Sequence, residues 1–235
     1  IQLYLTKRMD PLISVIIPAH NEEKYLGKTL ESIQKQDFLN YEVIVVCNGC
    51  TDQTENLAQN HSVKTLNLEE ANVCLARNAG AQQAQGELLL FLDADTLLEP
   101  SSLKVIFSTF TKKHAVATTK SQPDLPHFKY QLVTRFKNFY NQTNLYQGCS
   151  GALICRKDDF HSVGGYPMNL RVKEHRKLTI KLKKLGKYKV INTNVFTSMR
   201  RFEQWGLAKS TFFWINQWAR NYLSGLKDSK YEIIR

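Results

Sequence analysis

Gly86-Glu87-Leu88-Leu89-Leu90-Phe91-Leu92-Asp93-Ala94-Asp95 decides the fold. Five consecutive apolar residues between Glu87 and Asp93 read as a strand buried on both faces, the kind found in sheets covered by helices on either side. Outward from it, similar runs recur at residues 12–18 (Leu-Ile-Ser-Val-Ile-Ile-Pro), 41–46 and 63–66. Helical spacing fills the gaps: residues 22–36 with Leu26, Leu30 and Ile33 in phase, a helix capped by Thr51 or Asp52 with Glu55 completing a capping box, and an Ala-rich helix over 72–84. This alternation predicts an α/β fold whose mostly parallel central sheet is flanked by helices.

Beyond Asp95 the rhythm loosens. Helices are expected over 100–113, 127–146 and 174–185, strands over 115–119, 151–155 and 188–191, a turn at Val163-Gly164-Gly165, and an aromatic-rich helix from Glu203 to about Leu226. The expected organisation is a catalytic domain over 9–195, with a nucleotide-sugar half (9–99) and an acceptor half (100–195), then a helical extension over 196–235. Residues 1–8 are expected to lie upstream of the domain.

The 235 residues carry a net charge of +11, unevenly spread. Residues 1–95 hold 7 Lys+Arg against 13 Asp+Glu, a net of −6; residues 96–235 hold 25 against 8, a net of +17. A basic half suits phosphorylated substrates or an anionic membrane surface, and no nucleic-acid recognition motif accompanies it. No apolar run reaches the roughly 18–20 residues a membrane span needs, and the N-terminus lacks a signal-peptide pattern. Five scattered cysteines make a poor disulfide framework and point to a reducing, cytoplasmic setting. Cys47 and Cys50 form one Cys-x-x-Cys with no second pair at zinc spacing.

Asp93 and Asp95 would leave the end of a parallel strand together, where open α/β sheets bind ligands. Two close carboxylates repel unless a cation or proton lies between them. Mg²⁺ or Mn²⁺ would satisfy both, and would offset charge developing on a departing diphosphate. An isolated Asp-x-Asp recurs by chance on many surfaces; delivery by a wholly apolar strand gives this one its weight.

The ordered series resembles the family 2 glycosyltransferases of GT-A fold. Ser14-Val-Ile-Ile-Pro-Ala-His-Asn-Glu-Glu23 is similar to the family's first strand and nucleotide-side loop, Ala76-Arg77-Asn78-Ala79-Gly80 to the helix before the metal strand, and the run from Gly86 to Asp95 to that strand. The resemblance covers residues 12–190. It implies an inverting transferase taking a UDP- or GDP-linked sugar, with Pro18, Ala19, Asn21, Glu22, Asn48, Arg77, Asp93, Ala94 and Asp95 on the donor side, the metal held by Asp93 and Asp95, and a glycan or lipid-phosphate acceptor. Two departures stand out. Cys47-Asn48 replaces the usual acidic pair, leaving the base open. Glu174-His175-Arg176-Lys177-Leu178 replaces the usual Glu-Asp-x-Asp-Leu, so the base is His175, Glu174, or none if the acceptor is already an anion.

Thr197-Ser-Met-Arg200-Arg201-Phe-Glu-Gln-Trp205-Gly206 resembles segments from a bacterial and archaeal branch of that family. Arg200 or Arg201 is expected to close over the donor diphosphate or an anionic acceptor, the plain alternative being a surface ion pair. Trp214, Trp218 and Tyr222 recur every four residues. That helix could pack on the domain or a second copy, making a homodimer, or lie peripherally on the inner membrane face. Two other classes stay open: a sugar nucleotidyltransferase, for which the loop after the first strand lacks the required glycines, and a non-catalytic binding protein of the same fold.

Overall fold

The computed structural model describes residues 11–143, 148–149, 151–170 and 173–223, without the side chains of residues 214 and 217–223. The predicted strand at the quoted stretch is β4 (Leu88–Leu92), buried throughout. It lies mid-sheet, parallel to β1 (Ile13–Ala19) on one side and antiparallel to β7 (Ala152–Arg156) on the other. Outward from β1 run β2 (Tyr41–Asn48) and β3 (Lys64–Leu68), both parallel. Beyond β7 come β6 (His114–Pro123), β8 (Lys187–Thr197) and the edge strand β5 (Thr96–Leu98), giving the order β3-β2-β1-β4-β7-β6-β8-β5.

Helices cover both faces because the pleat divides the apolar runs. Ile13, Val15 and Ile17 pack with Leu26, Leu30 and Ile33 of α1 (Leu26–Gln34). Ile16, Ile44 and Val46 meet Cys74 and Ala76 of α3 (Val73–Gln83), whose N-cap Asn72 accepts from the Cys74 and Leu75 amides. A Cβ on Gly80 would stand 2.5 Å from Ile16 Cγ2, so the glycine sets how closely α3 approaches the sheet. The other helices are α2 (Thr54–Asn60), α4 (Ser102–Thr109), α5 (Phe128–Gln142), α6 (Lys157–Ser162), α7 (Glu174–Leu182) and α8 (Arg200–Leu223).

Two features position the site. From β1 the chain moves outward through β2 and β3, then returns to place β4 on β1's other flank. That reversal opens a crevice at the carboxyl ends of β1 and β4. In addition, β5 pairs antiparallel with β8, Thr96 opposite Thr197, which carries Arg200 back to the residue preceding β5.

β5 and α6 were not expected from the sequence. Three residues are too short for a periodic signal, and α6 was hidden behind the apolar β7. The C-terminal helix starts earlier than expected, at Arg200, and Gly206 (φ 77°) breaks it into two segments. The stripe of Trp214, Trp218 and Tyr222 lies outside the described side chains.

Candidate active site

β4 ends at Leu92, so Asp93 and Asp95 sit on the turn that follows and the pleat does not align them. The Thr96 amide donates to the Asp93 carbonyl at 3.1 Å, and Thr29 Oγ1 of α1 donates to the Ala94 carbonyl at 2.7 Å. The expectation of two carboxylates pointing alike from a strand is corrected here. Each meets a different arginine.

Asp93 Oδ1 accepts from Arg77 Nη2 at 2.9 Å, and Arg77 Nη1 donates to Glu174 Oε1 at 2.7 Å. Arg77 is buried, with its guanidinium 5.3 Å from the Tyr166 ring centre. Burial opposes its charge, but Glu174 and Asp93 outweigh that and raise its pKa. The Tyr166 hydroxyl lies 2.8 Å from His175 Nδ1. Burial, then the Arg77 charge, pushes the His175 pKa well below the usual histidine range, so the ring is neutral at physiological pH.

The second arginine, Arg200, grips Glu22 with both nitrogens at 2.8 Å, and its Nη2 also reaches Asp95 Oδ2 at 3.0 Å. Tyr25 lies under the guanidinium at 4.7 Å. Desolvation lifts the Asp95 pKa to about 7; Arg200 pulls it down, while Asp93 and Glu22 push it up. Asp95 therefore sits where more positive charge is needed than Arg200 supplies. Arg201 turns away to stack over Trp205 (4.8 Å) and Phe213 (5.7 Å).

That unmet demand fits a divalent cation. Asp93 and Asp95 offer hard oxygen ligands, and no group of three or more His, Cys, Asp or Glu side chains able to hold a metal occurs among the described residues. An ion here would take its remaining ligands from phosphate and water, the usual habit of Mg²⁺.

The nucleotide-side residues line the β1 and β2 ends, tied to one another. Pro18 and Ala19 are buried at the end of β1. Asn21, in the left-handed region (φ 54°), accepts from the Thr51 amide at 2.7 Å. The Glu22 amide donates to Thr54 Oγ1 at 2.7 Å. Asn48 is buried; with its amide turned to match its neighbours, it donates to the Ala19 carbonyl at 2.6 Å and accepts from the Asn72 amide at 3.2 Å. Its side chain braces the loops.

Sequence reasoning missed Tyr25 and Tyr166. The second carried a signal: Asn78, beside Arg77, donates to the Tyr166 carbonyl and accepts from its amide, both at 2.9 Å, so Arg77-Asn78 and Gly164-Gly165-Tyr166 form one clamp.

Cys50 borders the same loops, donating to the Ala19 carbonyl at 3.4 Å. A hydrogen bond with Cys47 lowers its pKa to about 6 and pushes that of Cys47 up. Iodoacetamide labelling of Cys50, followed by peptide mass mapping, is expected to rise through pH 6 and level off above pH 7. A midpoint at the ordinary thiol pH of about 8.5 would remove the Cys47 contact from the account.

The reversed strand order and the acidic turn between two arginines define a GT-A-type fold, the architecture of sugar-nucleotide transferases. The family model "Glycosyl transferase family 2" matches residues 14–202, and the chain belongs to that family. Glycosyltransferase GlyA of Streptococcus pneumoniae is 30% identical over 112 residues, 46% of this chain and 16% of that protein. Poly(ribitol-phosphate) beta-N-acetylglucosaminyltransferase TarS of Staphylococcus aureus is 34% identical over 110 residues, 43% of this chain and 19% of that protein. TarS 1–349 with UDP-GlcNAc superposes with a TM-score of 0.63 at 25% identity, covering 80% of this chain and 58% of that one. Mannosyltransferase PcManGT of Pyrobaculum calidifontis, with GDP-Man and Mn2+, gives 0.69 at 17% identity, covering 95% and 66%. The chain thus spans under a fifth of the length of these two curated relatives.

Proposed function

We propose that this chain transfers a sugar, with inversion, from a UDP- or GDP-linked donor to a glycan or lipid-phosphate hydroxyl or phosphate, assisted by Mg²⁺ or Mn²⁺. The observation that carries this reading is the acidic turn after β4 at the switch point of the sheet, where Asp93 meets Arg77 and Asp95 meets Arg200. The neighbours' printed ligands, UDP-GlcNAc and GDP-Man with Mn2+, support both donor classes.

When bound, the ion supplies positive charge against the diphosphate oxygens. Arg200 turns from Glu22 and Asp95 toward those oxygens, and its fork matches their geometry. Arg77 fixes Asp93 on one side and Glu174 on the other. Glu174 is committed to that pairing, so His175 takes the proton. In the tautomer whose Nδ1–H donates to the Tyr166 oxygen, Nε2 keeps its lone pair. The acceptor oxygen then bonds to the anomeric carbon, the bond from that carbon to the diphosphate breaks with its electrons leaving on oxygen, and an acceptor hydroxyl proton passes to His175 Nε2. An anionic phosphate acceptor needs no base.

Calorimetric titration of UDP, GDP and their sugar conjugates, with Mn²⁺ and then EDTA, tests the donor site. Metal-dependent binding of one nucleotide series is the expected result. A folded protein that binds neither series would overturn the transferase reading in favour of a fold that has lost its donor.

A further inference from the structure

α5 is amphipathic the wrong way round for a helix in water. Its exposed side chains include Phe128 (74%), Leu132 (59%), Phe136 (68%) and Phe139 (61%). At about 100° per residue these four fall within an arc of about 80°, one continuous outward face. The inner face is polar: Tyr130, Thr134 and Asn141 are buried. Asn138 clips the helix to β6, accepting from the Ser121 amide at 2.9 Å and donating to its carbonyl at 2.8 Å. Helices on globular proteins ordinarily turn the apolar face inward, and contiguous exposed apolar patches mark contact surfaces.

The charges around the patch indicate what it contacts. α5 contains Lys129, Arg135 and Lys137 and no acidic residue. Lys129 and Arg135 flank the apolar arc on opposite sides, with Arg135 exposed. On the inner face Tyr130 packs against Phe202 of α8 at 6.0 Å, and α8 itself exposes Phe212 and Ile215. Two copies meeting through this face would bring like charges together, against the +17 carried by residues 96–235. Anionic headgroups would meet Lys129 and Arg135, while the phenylalanines entered the boundary between headgroups and acyl chains. No described helix is long and apolar enough to cross the membrane, so contact would be along the surface.

We propose that the outward face of α5 is a docking surface for an anionic lipid bilayer. α5 packs on β6 and β8, and the Lys137 charge is felt at His175. Docking through this face would hold the acceptor side of the crevice near the lipid. The docking itself does not depend on the transferase reading.

Co-sedimentation of the full chain with vesicles of phosphatidylcholine, alone or with phosphatidylglycerol, tests it without donor or metal. Binding is expected only to the anionic vesicles and to weaken with salt. The double variant Leu132→Asp/Phe136→Asp is expected to bind at least about tenfold more weakly. Leu39→Asp, at an exposed leucine outside α5, is expected to bind like the wild type, and Lys129→Glu/Arg135→Glu to lose the anionic preference. Circular dichroism confirms that each variant is folded. Failure of the wild type to sediment, binding unchanged in the α5 double variant, or a dimer in light scattering that this variant abolishes without any vesicle binding would each overturn the proposal.

Discussion

Asp95→Asn is expected to abolish metal-dependent nucleotide binding while making the ligand-free protein more stable above pH 7. Both effects follow from one position. Asp95 is largely buried beside Asp93 and Glu22, and desolvation lifts its pKa to about 7 from an ordinary 3.8. The folded state then holds a proton that the unfolded chain releases near pH 4. Asp95 therefore weakens the fold progressively as pH rises from about 4 to 7, and its full cost applies above 7. An amide keeps the shape without the charge. The gain is expected to be negligible at pH 4 and to reach about 1–3 kcal/mol at pH 8, visible as a higher melting temperature. Binding moves the other way: losing a ligating carboxylate is expected to cost at least about 100-fold in Mn²⁺-dependent affinity. In the wild type that affinity should fall about tenfold per pH unit below 7, because the cation must displace the Asp95 proton. Melting curves across pH and calorimetry with Mn²⁺ read both. Unchanged nucleotide affinity in Asp95→Asn would remove Asp95 from the donor site. Lost binding without a stability gain would mean that Arg200 already offsets the desolvation.

Asp93 and Asp95 were legible in the sequence because a uniformly apolar strand can end at few places in an α/β sheet. The core was legible for the same reason: β1, β2 and β4 are short apolar runs, and their helices carry regular spacing. The partners were harder to see. Glu22 and Arg200 lie 178 residues apart and meet because β5 pairs with β8, and a three-residue strand leaves no periodic trace. Arg77 of α3 and Glu174 at the start of α7 meet across 97 residues, a separation that local periodicity does not report. A resemblance along the chain could place both arginines near the donor, but not divide the acidic turn between them. Nor could it show that the Asn48 amide braces the loops, since an asparagine at a strand end can face a ligand or its own backbone. The outward apolar face of α5 was hidden for a further reason. Periodicity reports that a helix has two faces, while the sheet beside it decides which face is inside.

Arg77→Met is expected to be the most damaging single substitution at the site, costing about 3–5 kcal/mol of stability. The arginine is buried, and its own desolvation works against it, so the pairing cannot be assumed favourable. What decides the sign is the state left behind. Glu174 has little exposure, at 13% of its side chain, and Asp93 only partial exposure, so removing the cation strands a negative charge with poor access to water. The Tyr166 ring loses its cation, and the Asn78 clamp then holds a tyrosine against a smaller neighbour. Arg77→Lys should fall in between, because one ammonium cannot span Asp93 and Glu174 as the guanidinium does with separate nitrogens. Adding Glu174→Gln to Arg77→Met should recover about 1–3 kcal/mol, since it removes the stranded charge. Urea melts of the four proteins measure each term. If Arg77→Met melts like the wild type, the two carboxylates are hydrated in solution and Arg77 does not hold them. If it is unstable but Glu174→Gln gives no recovery, the loss comes from the cavity under Tyr166, and the charge account fails while the packing account survives.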